Sequence, residues 1–179
     1  MKKIIKRKNI YKGKIINLNV DSLKINNKNF IREIIIHPGS VVIIPVLDIK
    51  KQKIIMIKQF RYAINKYIYE LPAGTKEKNE NSFNCAKREL EEETGYYPEK
   101  LKKLITIYPS PGIISEKMDI FLATSLKKKK QNLEQDENIK IKIFTLNKLI
   151  NMIFKGKIVD GKTIVGILLL NKIKEKFFK

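Results

Sequence analysis

Residues 74–96, GTKEKNENSFNCAKRELEEETGY, constrain the fold more than any other stretch of the chain. A helix is predicted from Ser82, a good N-cap residue, to Gly95, a residue type favoured just past a helix end. Glu89, Glu91, Glu92 and Glu93 crowd its C-terminal end, where the helix dipole disfavours anions. Glu89 and Glu93 are four apart and face the same way, and Glu92 lies three from Glu89. Each like-charge pair costs a few tenths of a kcal/mol, and the dipole mismatch adds a similar amount. A chain that accepts this cost at one place has a cation to put there. Oxygen-only ligands point to Mg²⁺ or Mn²⁺.

The rest of the composition narrows the setting. At 179 residues the chain suits one well-buried α/β domain with a small appendage. A single cysteine, Cys85, excludes an internal disulfide and fits a reducing compartment; inside the predicted helix it is expected to be a packing residue. A single histidine, His37, excludes a multi-histidine zinc site within one chain, and its place in an HPG turn gives it no catalytic assignment. The start, MKKIIKRKNIYKGK, has no apolar signal-peptide core, and the runs SVVIIPVL and TIVGILLL are too short to span a bilayer. A cytoplasmic protein without membrane partners is expected.

The net charge of +20 raises nucleic acid as a partner. Its distribution speaks against that, because lysines are spread through every segment without interleaved aromatic residues. Abundant Lys, Asn and Ile together suggest AT-biased coding. Against this background residues 70–99 hold eight acidic side chains and four basic ones. The acidic island is the meaningful asymmetry.

Hydrophobic periodicity places a β-meander over residues 9–37, with a polar NNKN turn. Two apolar runs follow, SVVIIPVLD and KIIMIKQFRY, then a short strand in YIYELPAG. Beyond the acidic helix come LKKLITIY and MDIFLATSL, a charged loop over 127–138, the alternating strand IKIKIF, and helices at LNKLINMIF and roughly 161–177. The order predicts an α/β fold, a mixed β-sheet between helices with an N-terminal β appendage. The division falls at 1–37 and 38–179.

Between Gly74 and Tyr96 the pattern is Gly74, five residues, Glu80, seven residues, Arg88-Glu89-Leu90, one residue, Glu92-Glu93, one residue, Gly95, Tyr96. This resembles the Nudix box of the Nudix hydrolases at every charged and glycine position, with Tyr96 where an aliphatic residue is commoner. Gly74 is expected to let the backbone turn sharply before the helix. Arg88, four residues before Glu92, can hold a carboxylate in a fixed orientation. The resemblance implies a metal site built from Glu89, Glu93 and the Ala73 backbone carbonyl, with Arg88 and Glu92 in catalysis. Glu80 would ligate peripherally or orient the loop.

Three flanking segments resemble the ADP-ribose pyrophosphatase branch of that family. In QFRYAINKYIYELPAG, Arg61 matches an arginine associated with the substrate phosphate and Glu70 a glutamate near the substrate. In YPSPGIISE, Pro111 and Gly112 lie at the branch spacing past the box and Glu116 follows. EQDENIKIKIF resembles the acidic loop and strand carrying a mobile glutamate; Glu137 fits that position as a water-orienting base or further metal ligand, and Glu134 is its rival. The branch implies Mg²⁺-dependent cleavage of a small-molecule nucleoside diphosphate sugar, ADP-ribose or a related ADP-sugar, to AMP and a sugar phosphate. It also implies a homodimer in which residues 1–37 reach the partner and help to form the adenosine pocket. The rival readings are a Nudix enzyme acting on RNA 5′ ends and a nucleotide-sensing or nucleic-acid-binding module without catalysis.

Overall fold

A computed structural model of the chain describes residues 3–133 and 138–177. Among these, ten strands form two sheets. The first is an antiparallel meander of β1 (Lys3–Lys12), β2 (Asn17–Ile25) and β3 (Lys28–Ile36). Asn26 and Asn27 make its β2–β3 turn with φ of 47° and 61°, a left-handed pair that asparagine tolerates and a tight hairpin requires. The meander starts at Lys3, earlier than the sequence suggested, because lysines on an exposed edge strand hide its periodicity.

The second sheet holds β4 (Ser40–Asp48), β5 (Lys53–Arg61), β6 (Lys66–Glu70), β7 (Ala73–Thr75), β8 (Tyr96–Ile107), β9 (Met118–Lys128) and β10 (Ile139–Thr145). Its main order is β10-β5-β4-β9-β8, with β4 and β9 parallel and the other pairs antiparallel. Pairing of β4 with β5 is confined to Val46–Ile54 and Asp48–Lys53, beside a bulge. Beyond that point the two strands part, β6 pairs with β5 and β7 pairs with β4. The gap so opened is where the site forms.

Helices cover both faces: α1 (Ser82–Thr94) one, α2 (Leu146–Phe154) and α3 (Gly161–Ile173) the other. Alternation along β4 decides which side chain meets which helix. Val41 and Ile43 pack with Cys85, Ala86 and Leu90 of α1, whereas Val42 and Ile44 pack with Leu149 and Ile167 of α2 and α3. A strand covered on both sides must be apolar at every position, which is why SVVIIPVL reads as one continuous run. Burying each such side chain contributes about 1.5–3 kcal/mol before chain entropy is counted. The fold is the expected mixed sheet between helices, with a separate three-stranded N-terminal sheet. That sheet joins the body through Ile35, whose N–H donates to the Ile113 carbonyl (2.8 Å) and whose carbonyl accepts from Ser115 N–H (2.9 Å).

Candidate active site

Helix α1 is anchored at both ends. Asn81, not Ser82, is its N-cap; the Asn81 side chain accepts from the Asn84 N–H at 2.9 Å. Ser82 instead donates to Asp119 Oδ2 at 2.7 Å, fastening the first turn to β9. Burial alone would raise the Asp119 carboxyl, but hydrogen bonds from Lys103, Thr106 and Ser82 outweigh it and hold the group at about 2. At the other end Gly95 has φ of 68°, the left-handed conformation expected of it. The carbonyls left open there are capped from outside: Gln131 Nε2 donates to the Glu93 carbonyl at 2.6 Å and the Asn132 N–H to that of Glu92 at 3.0 Å. The segment leading towards Glu134 and Glu137 is thereby fastened to the acidic end of α1. Glu134 and Glu137 themselves lie outside the described residues.

The carboxylates of Glu89 and Glu93 meet the same short strand, β7. Glu93 is buried, and its Oε2 accepts from the Ala73 N–H at 3.0 Å. Glu89 lies against Gly74 so closely that a Cβ there would stand 1.8 Å from Glu89 Cδ. Gly74 is therefore needed for space. It does not have a positive φ and does not make the sharp turn expected from the sequence. All these groups offer oxygen, and two carboxylates converge on the Ala73–Gly74 backbone, so the donor set suits a hard divalent cation. Among the described residues no three acidic, histidine or cysteine side chains are already gathered as a metal cluster. The expected further ligand, Glu137, is outside that set.

Arg88 organises the neighbouring acids. Its Nε and Nη2 donate to the two oxygens of Glu80 at 2.9 and 3.0 Å, and Nη1 reaches Glu92 at 2.9 Å and Glu89 at 2.8 Å. The Glu80 carboxyl is held at about 2, chiefly by its hydrogen bonds from Arg88. Glu80 therefore pairs with Arg88 and orients the loop, its oxygens also accepting the Glu77 N–H at 3.0 Å. Burial drives the Cys85 thiol strongly upward, as expected of a packing residue.

The depressed carboxyls are expected to cost stability in acid. A group whose folded pKa lies below its unfolded value stabilises the fold above the unfolded value and loses that contribution as pH falls through the folded one. For Glu80 the window runs from 4.5 down to about 2, and for Asp119 from 3.8 down to about 2. Urea unfolding between pH 6 and pH 2 is expected to show falling stability across that window, with a shallower fall in Glu80→Gln. An identical pH slope in the variant would remove Glu80 from this account.

Arg61 and Glu70, expected separately beside the substrate, are paired with each other. Arg61 Nε and Nη2 donate to Glu70 Oε1 and Oε2 at 2.6 and 2.8 Å. Glu70 is 0% exposed, so it meets the cleft only through Arg61. Arg61 lines a cleft of about 980 Å³ together with Gln59, Tyr62, Ala73, Gly74, Arg88 and Glu89. Gln59 Oε1 is buried there without a hydrogen-bond partner among the described residues. His37 lines the same cleft, its Nδ1 accepting the Gly39 N–H at 3.0 Å.

Pro111 and Gly112 are exposed in the turn after β8 and do not line this cleft. Glu116 is also outside the lining; it accepts from Ser40 Oγ at 2.7 Å and lies 3.8 Å from His37 Nδ1. Within one chain, then, the cleft unites the Arg61, Gly74 and Glu89 group and leaves the 111–116 group aside.

A split mixed sheet between helices, with glutamates of one helix closing on a glycine strand, is the architecture of a NUDIX domain. The NUDIX domain model matches residues 37–164, and the chain belongs to this family. Its relatives include the ADP-ribose pyrophosphatase of Bacillus subtilis (strain 168), 40% identical over 92% of this chain and 90% of the relative. The methanol dehydrogenase activator of Bacillus methanolicus is 37% identical over the same shares. The GDP-mannose pyrophosphatase of Shigella flexneri is 31% identical over 76% of this chain and 74% of its own. A crystal structure of an ADP compounds hydrolase superposes with a TM-score of 0.87 over 99% of this chain and 97% of that one, at 18% identity. No helix among the described residues is long and apolar enough to cross a membrane.

Proposed function

We propose that the chain is a Mg²⁺-dependent hydrolase, Mn²⁺ being an alternative, that cleaves the diphosphate of ADP-ribose or a related ADP-sugar to AMP and a sugar phosphate. The observation that carries this reading is one cleft holding the Glu89–Gly74 contact and the Arg61 guanidinium side by side. The similarity to the B. subtilis ADP-ribose pyrophosphatase supports the choice of substrate class.

Glu89, Glu93 and the Ala73 carbonyl would hold the metal, which when bound offsets the diphosphate charge and makes a water more acidic. Arg61, with Glu70 behind it, presents a planar fork to the phosphate oxygens. Arg88 fixes the direction of the Glu92 and Glu89 carboxylates, which otherwise repel one another. Glu137, or Glu134 in its place, is assigned the orienting of the attacking water. Water adds to one phosphorus, the bond to the bridging oxygen breaks, and the bridging oxygen leaves with the other phosphate. A substrate panel at fixed Mg²⁺, scored by product identity, tests this. AMP release from ADP-ribose supports it; phosphate or pyrophosphate release from triphosphorylated RNA, without cleavage of ADP-ribose, overturns it.

Residues 1–37 are proposed to form a homodimer arm that completes the adenosine pocket with Pro111, Gly112 and Glu116. The N-terminal sheet leaves the large apolar side chains of Ile5, Tyr11 and Ile31 at 57%, 58% and 67% exposure in a single chain. Light scattering is expected to give about twice the 20.9 kDa chain mass. Ile31→Glu is expected to shift the protein towards monomer and lower activity in step. A wild-type monomer with full activity would remove the arm from the proposal.

A further inference from the structure

Behind Arg61 stands a second cation that the chemistry described so far does not use. Lys162, the second residue of α3, reaches Glu70 Oε2 with its ammonium and donates to Asp160 Oδ1 at 3.0 Å. Its side chain is only 12% exposed. A lysine in the first turn of a helix opposes the helix dipole, so this position has to be stabilised by its carboxylate partners. Asp160 also caps α3, its Oδ2 accepting the Thr163 N–H at 3.0 Å. Thr163 Oγ1 accepts the N–H of Leu71, the residue after Glu70, at 2.8 Å. One helical turn therefore grips the side chain of Glu70 and the backbone beside it.

The consequence lies in how the Glu70 charge is shared. With Arg61 alone, a buried carboxylate and a guanidinium make a closed neutral pair, and little net charge faces the cleft. Lys162 adds a second cation on Glu70 from behind, and Asp160 in turn pairs with Lys162, so the four groups still sum to zero charge and what Lys162 adds is a second anchor on the carboxylate. Arg61, whose side chain is 40% exposed against 0% for Glu70, is the member of this group that reaches the cleft. The same contact fixes the carboxylate plane, and with it the direction of the guanidinium fork.

We propose that Lys162 is a positioning residue for the diphosphate of the substrate, acting through Glu70 to orient Arg61. The proposal rests on the reading of the cleft as an ADP-sugar site. It predicts a defect in substrate binding, because Lys162 does not line the cleft and acts only through Glu70, alike on ground and transition states.

The test is steady-state kinetics on the full chain with ADP-ribose and saturating Mg²⁺, for wild type, Lys162→Met, Lys162→Gln, Lys162→Arg, Arg61→Ala and the Arg61→Ala/Lys162→Gln double variant. Lys162→Met and Lys162→Gln are expected to raise KM about tenfold with kcat within about threefold of wild type, and Lys162→Arg to recover most of the loss. In the Arg61→Ala background Lys162→Gln is expected to add nothing further to KM, as coupling through a shared partner requires. Lys162→Gln keeps a hydrogen bond to Glu70 and decides the matter if Lys162→Met does not fold. Turnover of ADP-ribose by wild type with an unchanged KM in Lys162→Gln overturns the role of Lys162 alone. An equal KM rise with and without Arg61 does the same. No turnover by wild type overturns the functional reading itself.

Discussion

Glu93→Gln is expected to lower kcat for ADP-ribose by about 10³, the loss of roughly 4 kcal/mol of transition-state stabilisation at a metal-assisted centre. Glu93 is 2% exposed and accepts the Ala73 N–H at 3.0 Å. Glutamine has the same length, and its carbonyl oxygen can still take that N–H, so the fold should survive. What disappears is one anionic oxygen donor at the Ala73–Gly74 strand. The apparent affinity for Mg²⁺ should fall with kcat, and a Mg²⁺ titration of initial rates separates this from general damage. Hydrolysis at the wild-type rate in a folded Glu93→Gln protein would falsify the metal role proposed for this residue.

Gly74→Ala is expected to be nearly as severe, although it adds only a methyl group. Its Cβ would stand 1.8 Å from Glu89 Cδ and 2.0 and 2.2 Å from the two carboxylate oxygens. Backbone is not what it strikes. The obstructed atoms are the far end of a flexible side chain, so Glu89 can swing away at modest cost to stability. It cannot then occupy its present place against β7. A displacement of this size at a reacting centre costs about 10² in rate. Activity should therefore fall about a hundredfold while the melting temperature stays within a few degrees of wild type. Wild-type kcat in Gly74→Ala would mean that Glu89 works from elsewhere; a collapse in melting temperature would mean that Gly74 serves the fold first.

These two results depend on features of different legibility. The acidic end of α1 is visible in the sequence because its spacing is local: residues four apart share a helix face whatever the rest of the chain does. The stop at Gly95 is equally local, since a left-handed residue after a helix favours glycine. The continuous apolar run of β4 likewise reports a strand covered on both sides. The reason for Gly74 is different. A glycine before a helix suggests a turn, and only the packing of α1 on β7 shows that the missing Cβ makes room for a carboxylate. The N-cap was displaced by one residue for a similar reason. Ser82 suits the cap, but its hydroxyl is drawn to Asp119, thirty-seven residues further on, and Asn81 takes the cap instead.

The Arg61–Glu70 pair shows the same division. Arg61 and Glu70 can be picked out individually by their neighbours in sequence, yet nothing local says that they bind each other. The antiparallel register of β5 and β6 sets Arg61 opposite Lys66 and Glu70 opposite Ile57, so Arg61 and Glu70 are not cross-strand neighbours, and only their side chains in the folded chain bring them together. Lys162 had no sequence signal of function at all, because its partner Glu70 lies ninety-two residues earlier.

The sequence by itself determined helix α1, its anionic face, the apolar run of β4 and the order of elements, because helix and strand periodicities act over a few residues. The tertiary structure alone decided which charges neutralise one another: Arg88 with Glu80, Arg61 with Glu70, and Lys162 behind them. Charge pairing depends on distance in space, and that distance exists only after β4 and β5 part and the helices close on the sheet.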